Sequence, residues 1–167
     1  MKVIKTLIVL TLVFGVVTLN SCKKKDPAPS ATITATVDGI ATTFNTHAIG
    51  AKGTIQGITI TTIQGTAANG TSLAITLNGT ITAGKTYSSS ANSPDDEPLL
   101  LLSTPDSDFL NDDSSANLVS VTITAVSSSS IQGTFKGNLV STNINVGNSG
   151  AQNATKVIAD GKFNVSF

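Results

Sequence analysis

The chain has 167 residues, the length of one ordinary domain, and its 10 lysines, with no arginine, balance 10 acidic residues to a formal net charge of zero. Only 12% of residues are charged and 4% aromatic, and there is one His, one Cys and no Trp. This composition excludes an electrostatic nucleic-acid partner, an internal disulfide framework and a multi-histidine metal centre.

Residues 1–21 form the first predicted element, a signal peptide. Lys2 and Lys5 supply a positive start, and 7–19 is an apolar run broken only by Thr11, Gly15 and Thr18. That run is short for a membrane span and right for a cleaved export signal. It ends in Leu19-Asn20-Ser21-Cys22, which resembles a bacterial lipobox. In such signals the cysteine receives a thioether-linked diacylglycerol and becomes the first mature residue. Cys22 is therefore the candidate lipidation site, and the bilayer the expected partner, because buried acyl chains anchor a protein and more than one chain makes the anchor stable.

Residues 22–30 follow as a tether. Lys23, Lys24, Lys25, Asp26, Pro27, Ala28, Pro29 and Ser30 offer no apolar face to bury. The run Ser21-Cys22-Lys23-Lys24-Lys25-Asp26 resembles the start of many lipoproteins of the Bacteroidota. With Lys23 rather than Asp after the cysteine, the resemblance implies the outer membrane rather than retention at the inner one. The lysine cluster with Asp26 is similar to a surface-export signal, and the same lysines suit anionic headgroups. The periplasmic and surface faces both stay open.

The domain spans 31–167, where five lysines face nine carboxylates, so a basic front precedes a mildly acidic body. Its hydropathy alternates with a period of two. In 32–37, Ile33, Ala35 and Val37 share a face, and Asp38-Gly39 signals a hairpin into 40–47. A strand region over 54–63 is rich in Ile and Thr. Asn69-Gly70 marks a turn into 71–78, which directs Leu73, Ile75 and Leu77 inward. Residues 79–84 lead to Lys85-Thr86-Tyr87. The apolar run 99–102 lies between Pro98 and Pro105 and reads as a strand or a core-anchored loop. Val119, Val121, Ile123 and Ala125 share a face of 118–126, and Ser127 to Ser130 turn into 131–139, with Ile131, Phe135 and Leu139 on one face and Gly133 and Gly137 between them. The last two predicted strands, 155–159 and 162–167, are joined by an Asp160-Gly161 turn, with Phe163, Val165 and Phe167 on one face.

About eight one-sided strands predict an all-β fold, an antiparallel β-sandwich or partly closed barrel. Threonine suits such a chain, being β-branched with a hydroxyl for the solvent side. The triplet Ile-Gln-Gly at 55–57, 63–65 and 131–133 is too irregularly spaced for a solenoid and marks bulges or close backbone approaches. The order of Gly84…Tyr87, Gly133-Thr134-Phe135 and Gly161-Lys162-Phe163 resembles a family of small Bacteroidota lipoproteins of unknown function. Their pattern has a Gly-x-Tyr strand end, a later Gly-Thr-Phe and a terminal Gly-x-Phe; the Gly84 to Tyr87 spacing carries one extra residue. The resemblance implies a β-sandwich-like extracytoplasmic domain and transfers no catalytic residue.

Chemistry-bearing residues are few, and no catalytic, cofactor or metal site is expected. His47, the only imidazole, reads as a polar strand-edge residue. Asp95, Asp96 and Glu97, then Asp106, Asp108, Asp112 and Asp113, form an acidic stretch that offers oxygen ligands. It lacks the central Gly and terminal Glu of an EF-hand loop and reads as a solubilising surface. Paired carboxylates serve glycoside hydrolysis, but this chain has only Tyr87 and no Trp as sugar platforms. Gly50-Ala51-Lys52-Gly53-Thr54 is no phosphate loop, since neither a Gly-rich run nor a helix flanks it. The expected function is a non-enzymatic binding, adhesion or envelope-assembly role on an outer-membrane lipid anchor, with an envelope protein or glycan as partner. The alternatives are a capture component for a glycan or other extracellular ligand and, more weakly, a hydrolase using the acidic stretch.

Overall fold

The computed structural model of the protein describes residues 31–89, 97–111, 118–142 and 154–167. These form β1 (Thr32–Val37), β2 (Ile40–Thr43), β3 (Thr46–Ile55), β4 (Ile58–Thr66), β5 (Ser72–Asn78), β6 (Thr86–Ser88), β7 (Leu99–Ser103), β8 (Asp108–Leu110), β9 (Val119–Val126), β10 (Ser130–Ser141) and β11 (Thr155–Ser166). All pairs are antiparallel, in the order β2-β1-β11-β10-β8-β7-β5-β4-β3, with β9 paired to β10 and to β6. The domain is the all-β, partly closed architecture that the alternation predicts, with eleven strands among the described residues.

Two long strands curl the sheet. β10 pairs with β11 along one edge, while its other edge is shared between β9 over Ile131 to Gly137 and β8 at Val140 and Ser141. The β2–β3 segment does the same at the opposite side. Ile40 to Thr43 pair with β1, the chain bends at Phe44-Asn45, and β3 goes on to pair with β4. Phe44 is fully buried at that corner, its N–H bonds Ile33 O, and Asn45 Oδ1 accepts from Ile33 N at 3.2 Å. The predicted continuous strand 40–47 is therefore corrected to two strands that switch partners.

The inner faces enclose one core. Ile33, Phe44, Ile63, Ile75, Leu77, Tyr87, Leu100, Leu102, Val121, Ile123, Ile131 and Leu139 are all fully buried. Leu73, Phe135, Phe163 and Val165 are nearly so. Run 99–102 is a strand, with Leu100 and Leu102 inward between β5 and β8.

Two further expectations are corrected. Residues 54–63 are not one strand. Ile55 pairs with Ile58, and Gln56 (φ 51°) and Gly57 (φ 84°) form a two-residue hairpin turn of the same kind as Asp38-Gly39 (φ 49° and 82°). Nor is Asp160-Gly161 a turn. β11 runs straight through it, and Asp160 (φ 52°) is an extra residue relative to both neighbours. Phe135 to Gly137 on β10 and Thr34 to Thr36 on β1 each span two residues where β11 spans three. This is a β-bulge, which keeps Ile158 and Gly161 both on the core side. A second bulge on β9, opposite Gln132 and Gly133, turns Ala125 outward and leaves Val126 packed against the core instead.

The two Gly-x-Phe motifs meet each other. Gly133 pairs with Phe163, Thr134 with Lys162, and Phe135 with Gly161. Each ring lies over the other strand's glycine, and the ring centroids are 6.3 Å apart. A methyl group at Gly133 would strike the Phe163 ring and Thr122 O. Gly65, in the second Ile-Gln-Gly, has the same role against Phe44 O, so two of the three triplets are close backbone approaches and the first is a turn.

Candidate functional site

The only cysteine, Cys22, and its tether lie outside the described residues, as do Asp95, Asp96, Asp112 and Asp113. Of the described acidic residues, Glu97 precedes β7, half-buried, Asp106 lies in the β7–β8 connection and Asp108 opens β8. Asp106 and Asp108 are exposed, and Asp108 O accepts the Thr142 N–H at 2.9 Å. The connection is shaped by Thr104, whose Oγ1 accepts the Ser107 N–H at 3.1 Å. Among the described residues no group of three or more His, Cys, Asp or Glu side chains is placed to hold a metal ion.

His47 sits on β3, an edge strand, exposed at an irregularity where Thr46 to Ile49 face only Thr66 to Gln64. Its φ of 54° marks the strain of that bulge. It lines a cavity of about 180 Å³ with Gln64, Thr66, Ser72, Leu101 and Ser103. Ser72 Oγ is engaged with Thr66 Oγ1 at 3.0 Å, and no carboxylate lines the cavity. A general base needs an orienting acid and a nucleophile at hydrogen-bond reach, and this lining supplies only hydroxyls, an amide and one imidazole.

A larger concavity lies on the outer face of β9–β10–β11, about 430 Å³ in volume. Ser120, Thr122, Thr134, Lys136, Asp160 and Lys162 line it, because outward residues on three neighbouring strands come into register there. The Asp160 bulge shapes its floor at Gly161. Hydroxyls, two ammonium groups and one carboxylate make a hydrogen-bonding surface suited to a polar ligand. Sequence reading missed this group. The only local signal was Asp160-Gly161, which reads equally well as a turn.

The third concavity, about 180 Å³, lies at the end of the domain where Asp38 meets Lys156. Lys156 Nζ is 2.7 Å from Asp38 Oδ2, and Val157 N donates to Asp38 Oδ1 at 2.9 Å. Partial burial raises the Asp38 carboxyl, but the hydrogen bonds from Lys156 and Val157 and the lysine's charge outweigh it, and the pKa lies below its ordinary value. This cluster ties the β1–β2 turn to the start of β11.

Comparison of the chain with protein-family models, with curated proteins and with solved structures finds no match.

Proposed function

We propose that the protein is a lipoprotein of the outer membrane, anchored through acylated Cys22, whose β-domain has a non-enzymatic binding, adhesion or envelope-assembly role. The observation that carries this reading is the position of the sole cysteine, directly after a positively started apolar segment and within Leu19-Asn20-Ser21-Cys22. The tether supports it, since a Lys- and Pro-containing run without apolar periodicity separates Cys22 from β1. The motif resemblance to small Bacteroidota lipoproteins points the same way.

Cys22→Ala tests the reading. The unaltered protein should enter the membrane fraction, lose residues 1–21 and carry acyl mass on its first residue. The variant should either stay unprocessed or leave the membrane. A variant with unchanged mass, unchanged membrane recovery and no loss of acyl label would overturn the lipid anchor.

A further inference from the structure

The β3–β4 hairpin ends beyond the sheet. Its last rung shared with β5 is Ile60 with Asn78, and Gly79 N closes on Thr59 O at 2.8 Å. The rungs Thr54–Thr59 and Ile55–Ile58 and the Gln56-Gly57 turn stand past that point. Residues 51–58 are all exposed. Two large aliphatic side chains stand at this tip in water, Ile55 at 62% and Ile58 at 49% exposure. They are cross-strand partners on one face, so they form a single apolar knob.

The knob points to the end of the domain at which β1 begins. β3 leaves the Phe44 corner beside Ile33, and Ile33 pairs with Phe163. Further along, Gly50 lies against Val165 and Phe167, and Lys52 Nζ stands 3.8 Å from the centroid of the Phe167 ring. β3 therefore follows β11 to its C-terminal end and continues past it. At that same end Thr32 pairs with Asn164, so the described chain begins, at Ala31, beside the last residues of β11. The 22–30 tether, fully extended, spans at most ~30 Å. Charge agrees with placement. No acidic residue occurs between Asp38 and Asp95, and β3 and β4 hold one lysine, Lys52, and no carboxylate.

We propose that the Ile55–Ile58 tip is a second contact with the membrane, inserted at the headgroup boundary of the bilayer that holds Cys22. This rests on the lipid-anchor reading above. The aliphatic pair enters the interface, Lys52 stays at headgroup level, and no carboxylate of the hairpin has to be desolvated. A short tether alone leaves the domain free to tumble over the surface. A second contact fixes its orientation and turns the Asp38 end away from the membrane.

The test uses the full-length acylated protein in vesicles of phosphatidylcholine and phosphatidylglycerol. Ile55→Cys and Ile58→Cys each carry a polarity-sensitive fluorophore, and acylation leaves the new thiol as the single labelling site. Ala68→Cys, exposed in the β4–β5 turn at the far end, is the reference. With nitroxide-bearing lipid in the vesicles, labels at 55 and 58 should shift to the blue and lose emission, while the label at 68 stays bright. Acylated, vesicle-bound protein with equal emission at all three positions would overturn the proposal and leave the anchor standing. Protein that lacks acyl mass and elutes away from the vesicles would overturn the anchor, and the proposal with it. Cross-linking of two copies through residue 55 in place of lipid quenching would assign the tip to a second copy of the chain and overturn the membrane contact.

Discussion

Thr61 stands fully buried on β4, opposite Lys52 on β3 and Leu77 on β5, and its Oγ1 has no hydrogen-bond partner among the described residues. Among the described residues threonine is mostly solvent-facing or half-buried; Thr61 and Thr71 are buried, and Thr61 is placed on the inner face by the alternation Thr61, Ile63, Gly65. A buried hydroxyl without a partner keeps its desolvation cost and gains nothing in return. Thr61→Val keeps the branched shape and removes the oxygen, so it should stabilise the domain by about 1 kcal/mol. Denaturant unfolding checks this, and a loss of stability would show that the hydroxyl is in fact bonded. Asp38 is the opposite case, a carboxylate with both oxygens engaged. Its folded pKa lies below the unfolded value, so its charge stabilises the fold above the unfolded pKa of about 3.9. That contribution is lost as pH falls through the folded pKa. Asp38→Asn tolerates the positive φ and can still accept from Val157 N, but its amide nitrogen cannot accept from Lys156 Nζ, so it removes the charge together with the lysine's hydrogen bond. Because the pair is more than a third exposed at Asp38, the effect near neutrality should be about 0.5 kcal/mol or less. Stability measured against pH should show the two proteins converging in acid.

The strand β11 shows what an element adds to its residues. It lies between β10 and β1, and its inward side carries Ile158, Gly161, Phe163 and Val165. Phe163 is 3% exposed, covers Gly133 and packs on Phe135, so its removal opens a cavity in the core. Phe163→Ala should cost roughly 3–5 kcal/mol. Asn164, half-buried on the other face between Gln132 and Thr32, should tolerate Ala with a much smaller loss. Urea unfolding of the two variants decides it, and equal losses would contradict the one-sided strand. The alternation of 162–167 was legible because period two is a local property. The role of Asp160-Gly161 was not. An Asp-Gly pair favours positive φ in a hairpin turn and in a bulge alike, and only the presence of β10 and β1 on both sides of β11 makes it a bulge. Gln56-Gly57 erred in the other direction, since Ile55 and Ile58 continue the apolar run across the turn and hide it.

At the scale of the whole molecule, β10 and the β2–β3 corner bind the two halves of the curled sheet around one continuous core. Stability should therefore come from these apolar faces and the paired strands rather than from a bound ion. We expect excess calcium, compared with chelator, to leave the thermal midpoint of the domain within about 5 °C, a shift equivalent to roughly 1 kcal/mol or slightly more. A larger rise would overturn this and point to a genuine cation site, for which Asp106, Asp108 and Asp112 are the candidates.

Sequence alone determined the strand class, most of the inward residues and the motif at Cys22, because each depends on neighbours within a few positions of the chain. Ile33, Leu73, Ile75, Val121, Ile123, Phe135, Phe163 and Val165 are all buried as their alternation predicts. Only the tertiary structure decided the long-range matters. It paired Gly133-Thr134-Phe135 with Gly161-Lys162-Phe163, gathered Lys136, Asp160 and Lys162 around one concavity, and brought the Ile55–Ile58 tip to the end where the chain enters β1. Those arrangements follow from sheet register and from the two partner-switching strands. Hydrogen bonds between peptide groups set register without regard to side-chain identity, so the residues that end up as neighbours leave no common mark in the sequence.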